Sequence, residues 1–317
     1  MPERNQCVST SAVFAYGDVG VRCLKTLLSA GVHVTLVVTH ADDPAENRWF
    51  DSVAELAAEE ELHCIRPDDA SSQALQKEIE SLQPDFIFSF YYRHLLPMSL
   101  LRQARRGALN MHGSLLPRFR GRAPINWAVL RGATQTGATL HYMTSRADAG
   151  DIVDQLAVPI LKDDTGYDVH RKITVAAEIV LARCLPELIA GSILARPQPV
   201  MPGEYFGRRR PEDGRIDWRR PAQEIHNLVR AVAPPYPGAF TEINGQRWTI
   251  TRTRLLEGMH IQGRVSPQLV VDAAGRCVAH CTDGGLLQIL GARSADGALD
   301  LARLTAALAL ASIDLPC

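Results

Sequence analysis

Apolar positions along the first two-thirds of the chain alternate between two kinds of pattern. Compact runs rich in β-branched and aromatic residues have strand length: SAVFAYG (11–17), VHVTLVVTH (32–40), HCIRP (63–67), DFIFSF (85–90), RRGALNMH (105–112) and GATLHYM (137–143). Between most of them lie stretches with apolar residues three and four apart, VRCLKTLLSAG (21–31), SVAELAAEEEL (52–62), SSQALQKEIESLQ (71–83) and APINWAVLRG (123–132), which predict helices. Strand–helix alternation of this kind predicts an α/β fold, a Rossmann-like open sheet with right-handed crossovers. A further helix, TVAAEIVLARCLPELIAG (174–191), is expected to close that domain.

The pattern then changes. Residues 195–214, ARPQPVMPGEYFGRRRPEDG, are dense in proline, glycine and charge and read as a linker. One helix, PAQEIHNLVRAVA (221–233), precedes the short runs GAFTEI, QRWTITRT, QLVVDA, RCVAHCT and LLQILGA, which predict a small β-barrel or sandwich. The expected organisation is an N-terminal extension (1–10), a catalytic domain (11–194), the linker (195–214) and a C-terminal β domain (215–317). A length of 317 residues suits two such domains.

Composition narrows the function classes. Lys and Arg total 34 against 35 Asp and Glu, so the chain as a whole is not a nucleic-acid binder by charge. It holds no apolar run long enough to span a membrane, and its first residues, MPERNQCVST, lack the apolar core of a signal peptide. Seven scattered cysteines do not suggest a disulfide framework, and a cytoplasmic location is the expectation. Cys277, His280 and Cys281 lack a fourth ligand at a usual spacing, so buried thiols are expected there and no metal. FAYGDVG does not match the dinucleotide fingerprint, and there is no Walker-type loop.

Candidate chemistry lies in NMHGSLLPRFRGRAPINW (110–127). Asn110 and His112 fall two apart at a strand end and therefore share a face. The loop SRADAGDIV (145–153), after GATLHYM, is expected to end in the same crevice at the carboxyl ends of the strands and to add Asp148, with Asp151 as a rival carboxylate. An imidazole beside a carboxylate can take a proton from an attacking amine and return it to a leaving nitrogen. An amide N–H can stabilise a tetrahedral oxyanion. By spacing alone, Asn-x-His is equally a capped strand end and a loop Asp equally a solvated one. Arg118, Arg120 and Arg122 suit a carboxylate or phosphate, or else solvent. Tyr91, Tyr92 and Arg93 line a pocket or simply pack, Arg208–Arg210 read as a solvated run, and His141 and Trp127 as packing residues.

NMHGSLLPRFRGRAPINW with RADAGDIV downstream resembles the 10-formyltetrahydrofolate-dependent formyltransferase family. The resemblance implies a catalytic triplet of Asn110, His112 and Asp148 and N10-formyltetrahydrofolate as formyl donor. YFGRRRPEDGRIDW and LVRAVAPPYPGAF are similar to the linker and OB-like second domain of the methionyl-tRNA and sugar-modifying branches. FSFYYRHLL, RFRGRAPINW and RADAGDIV bring the chain nearest to formyltransferases acting on UDP-4-amino-4-deoxy-L-arabinose, a substrate of lipid A modification. That branch implies folate contacts at His94, Leu95, Leu96, Arg122, Thr144, Ser145, Arg146 and Ala147. Residues 39–64 carry eight acidic residues against one arginine, which would repel RNA phosphates and favours an amino-sugar nucleotide as partner over tRNA. A methionyl-tRNA formyltransferase, a formyltetrahydrofolate hydrolase and an inactive folate-binding scaffold stand as alternatives.

Overall fold

The computed structural model describes residues 9–41, 48–199, 205–243, 245–263, 265–294, 304 and 313–315. Residues 1–8 of the expected extension, Asp42, Asp43 and Glu46 of the acidic segment and 200–204 of the expected linker lie outside the described residues. In chain order the elements are β1 (Thr10–Ala15), α1 (Gly17–Ser29), β2 (His33–Val38), α2 (Val53–Glu59), β3 (Cys64–Ile65), α3 (Gln73–Leu82), β4 (Phe86–Phe90), α4 (Met98–Leu101), β5 (Gly107–His112), β6 (Arg120–Gly121), α5 (Pro124–Leu130), β7 (Gln135–Tyr142), β8 (Ile152–Pro159) and α6 (Gly166–Ala190). There follow β9 (Tyr205–Phe206), a 3-10 turn (Pro211–Gly214), α7 (Ala222–Ala231), β10 (Ala239–Ile243), β11 (Gln246–His260), β12 (Gln268–Val271), β13 (Cys277–His280), β14 (Gly285–Arg293) and β15 (Ile313–Asp314).

The chain divides into two compact units, one of residues 1–124, 136–158 and 171–206, the other of 125–135, 159–170 and 207–317. The first holds a seven-stranded sheet in the order β3-β2-β1-β4-β5-β7-β8. β1 to β5 run parallel. Every residue of β4 (FIFSF) is buried, the mark of a strand covered on both faces, and Phe14, Phe88 and Phe90 are fully enclosed. Helices start where the sequence supplies caps. The Ser52 side chain accepts from the Glu55 N–H and Ser72 from the Leu75 N–H. α6 begins eight residues before the stretch that its hydrophobic spacing marks most clearly.

The sheet departs from the expected pattern at one edge. β7 pairs antiparallel with β5, with Asn110 opposite His141 and His112 opposite Thr139. β8, covered only in part by a stretch read as loop, is a full strand. The carboxyl ends of β5 and β7 therefore point in opposite directions, and the expectation that both reach one crevice by ending there is corrected. Asp148 arrives by another route, described below.

The second unit carries a six-stranded antiparallel sheet, β10-β11-β14-β13-β12-β15. Register shifts within the fifteen-residue β11 mark bulges that coil this sheet into a half-barrel. Trp218 is buried in it, and its indole N–H donates to Thr241 Oγ1 at 2.9 Å. No described helix is long and apolar enough to cross a membrane. Among the described residues no cluster of three or more His, Cys, Asp or Glu is placed to hold a metal ion.

Candidate active site

The site is built on β5. Pairing with β4 on one side and β7 on the other fixes Asn110 and His112 in an extended backbone with their side chains on one face. His112 is nearly buried. Its Nε2 lies 3.0 Å from the Phe119 carbonyl, which can only accept, so that nitrogen carries a hydrogen. Its Nδ1 faces Asp148 Oδ1 at 3.5 Å.

Phe119 belongs to the loop after β5, and that loop is anchored. Thr139 Oγ1 donates to the Ser114 carbonyl and accepts from the Leu116 N–H. Gln155 Nε2 donates to both Thr139 Oγ1 and the Leu116 carbonyl, and Ser114 Oγ donates to the Arg118 carbonyl. A side chain at Gly113 would collide with the Tyr91 hydroxyl, which explains the glycine directly after His112.

Asp148 reaches His112 because the turn between β7 and β8 folds back over the sheet. Tyr142 N–H donates to the Asp151 carbonyl at the base of that turn, and Asp148 itself has a left-handed backbone (φ 52°). Its Oδ2 accepts from the Gly121 N–H at 2.9 Å, and Oδ1 lies 3.7 Å from His141 Nε2. Burial alone would raise the Asp148 pKa. The charge of His112 and the Gly121 N–H outweigh it and hold the carboxyl well below the usual carboxylate range. Asp151 is exposed, and of the two rival carboxylates Asp148 is the one beside the imidazole.

His141 was read as a packing residue, and it is almost fully enclosed. It is also part of the site. Its Nδ1 donates to the Tyr142 carbonyl at 2.8 Å, so Nε2 is left as an acceptor for Asn110 Nδ2 at 3.1 Å. The amide of Asn110 thus spends one N–H on His141 and keeps a second. The cross-strand register Asn110–His141 is the signal that places this histidine, and it becomes visible only when β5 and β7 are paired antiparallel.

The remaining site candidates divide by exposure. His94 and Leu95 are exposed, Leu95 by 73%, and Leu96 is half-buried, all just past the end of β4. Thr144, Ser145 and Arg146 are exposed and Ala147 half-buried, on the turn that carries Asp148. Arg122 is exposed, and its backbone N–H donates to the Phe206 carbonyl. Arg118 is exposed and Arg120 buried. Tyr92 packs: it stacks on His40 at 4.1 Å and meets Phe14 edge-on. Arg93 lies over the Tyr16 ring at 4.4 Å, and its backbone N–H donates to His40 Nε2.

An imidazole between a carboxylate and a carbonyl, with an amide N–H on the same strand face, has the groups that acid–base transfer at a carbonyl carbon requires. The chain belongs to the formyl transferase family: residues 11–185 match the family's catalytic model, and residues 209–300 match the model of the formyl transferase C-terminal domain. Solved structures share the fold. An N-formyltransferase from Helicobacter canadensis, in complex with folinic acid and dTDP-3-aminofucose, is 20% identical, with 89% of this chain and 98% of that one covered at a TM-score of 0.68. WlaRD, a sugar 3N-formyl transferase determined with dTDP and 5-N-formyl-THF, is 19% identical over 91% of this chain and 98% of that one, also at 0.68. HypX from Aquifex aeolicus, in complex with tetrahydrofolic acid, is 18% identical over 90% of this chain and 44% of its own, with a TM-score of 0.58.

Proposed function

We propose that the protein transfers the formyl group of N10-formyltetrahydrofolate to the amine of an amino-sugar nucleotide, with UDP-4-amino-4-deoxy-L-arabinose as the acceptor. The observation that carries this reading is the pairing of His112 with Asp148, with Asn110 two residues from His112 on the same face of β5, in a chain of the formyl transferase family. His112 takes the proton released by the attacking amine and returns it to the leaving nitrogen of the donor. Asp148 orients the ring. The second N–H of Asn110 meets the oxyanion that develops on the formyl oxygen, worth about 3–4 kcal/mol for one such donor.

The donor's pterin suits the exposed and half-buried side chains beyond β4 and on the Asp148 turn: His94, Leu95, Leu96, Thr144, Ser145, Arg146 and Ala147, with the exposed Arg122 as a cation for its glutamate tail. Leu95 in particular offers an uncovered apolar surface. An amino-sugar acceptor is supported by two of the structural relatives, one in complex with dTDP-3-aminofucose and one a sugar 3N-formyl transferase determined with dTDP. The excess of acid in residues 39–64 weighs against RNA.

The test is an acceptor screen with N10-formyltetrahydrofolate, following formyl transfer by mass spectrometry. Formylation of UDP-4-amino-4-deoxy-L-arabinose is expected. Formylation of a different amino-sugar nucleotide would keep the activity and replace the acceptor. Formylated methionyl-tRNA, or formate released without any amine, would overturn the reading.

A further inference from the structure

The segment after α6 does not leave the first unit at once. Arg196 exchanges two backbone hydrogen bonds with Ile152, both of 2.8 Å, at the start of β8. Two residues on, Gln198 aims its amide at the turn that carries Asp148. Its Nε2 donates to the Gly150 carbonyl at 2.6 Å and to the Asp148 carbonyl at 3.2 Å. Two carbonyls can only accept, so the amide orientation is fixed by its partners. Its Oε1 is buried without a protein partner among the described residues, a cost accepted in exchange for the double donation. The same segment then forms β9, which pairs with Arg120–Gly121 and so holds the N–H that Asp148 Oδ2 receives.

We propose that Gln198 is a positioning residue for Asp148, and through it for His112, an inference that rests on the catalytic reading of the triplet given above. Asp148 has a left-handed backbone, a conformation uncommon outside glycine and least costly for Asn and Asp, which its neighbours here hold in place. Gln198 supplies that constraint from the carbonyl side while Gly121 supplies it from the carboxylate side. With both in place the carboxylate is held between His112 and His141. Without Gln198 the turn relaxes and the carboxylate moves away from the ring.

Gln198→Leu and Gln198→Glu test this together, the second keeping size and shape while replacing the donor by an acceptor. Turnover is read as tetrahydrofolate formed from N10-formyltetrahydrofolate, by transfer to the acceptor or to water, with Asp148→Asn assayed alongside. Both Gln198 variants are expected to lose kcat on the order of 10²-fold, the effect of misplacing a reacting group by an ångström, with the donor KM and the thermal unfolding transition near wild type. Wild-type kcat in the Gln198 variants beside an inactive Asp148→Asn would overturn the inference. So would a loss of kcat that merely follows lost folding, or one matched by an equal rise in the donor KM. An active Asp148→Asn would instead overturn the reading of the triplet on which it rests.

Discussion

Asn110 and His141 stand directly opposite each other on antiparallel strands, and the amide donates to the imidazole Nε2 across 3.1 Å. The Tyr142 carbonyl occupies the other ring nitrogen. The histidine therefore acts as a fixed acceptor for one N–H of the asparagine amide and fixes the amide's orientation.

His141→Leu removes that acceptor and frees the amide to rotate. Turnover should fall, by less than the roughly 10²–10³-fold that follows loss of an oxyanion donor itself, as in Asn110→Ala. Steady-state kinetics of the two variants side by side check the order.

His112→Ala and Asp148→Asn remove the proton carrier and its orienting carboxylate. Each is expected to reduce kcat on the order of 10²–10⁴-fold while leaving the far-ultraviolet circular dichroism unchanged. The depressed Asp148 pKa also favours the folded state. That contribution is complete above about pH 3.9, the ordinary Asp value, and is lost as pH falls below it through the folded-state range. Denaturant unfolding of wild type and Asp148→Asn should therefore differ at pH 6 and converge in strong acid.

His40 adds a pH dependence of the same sign at higher pH. Burial, with His94 and Arg93 adding repulsion, lowers its pKa to about 4, and its Nε2 accepts from the Arg93 N–H. Between pH 6.5 and that value the unfolded chain binds a proton that the folded chain refuses. Stability should decline as pH falls across this window, and His40→Gln should flatten the decline in urea titrations.

Gly121 has φ 101°, and a Cβ there would meet the Phe206 carbonyl. Gly121→Ala is expected to destabilise by about 1–3 kcal/mol and to lower turnover, because its N–H holds Asp148. Gly207→Ala, where nothing stands within contact distance, should leave both near wild type. Thermal unfolding with kinetics on both variants decides.

Much of this was legible in residue patterns. The parallel strands announced themselves through β-branched runs such as HVTLVV, and α2 and α3 through apolar residues three and four apart. Asn110 and His112 were legible because strand period two is a local rule. Asp148 could be named, but its path could not, since an antiparallel β7 reverses the direction that strand–helix alternation implies. The groups missed were of one kind. The Phe119 carbonyl and the Gly121 N–H are main-chain atoms, and Gln198 touches only main-chain carbonyls, so side-chain chemistry gave no hint of them. His141 was visible as a residue but not as a neighbour.

The pairing of Arg196, Gln198 and Tyr205–Phe206 with the first unit bears on how this chain can be cut and recombined. A fragment ending at residue 194 would keep every residue of the triplet yet lose Arg196, Gln198 and the strand paired with Gly121. A minimal catalytic fragment, or a chimera that borrows its C-terminal half from another formyl transferase, should place its junction after Phe206. In evolutionary terms, exchange of second domains carries least risk where the donor brings its own version of this strap or leaves the resident one whole.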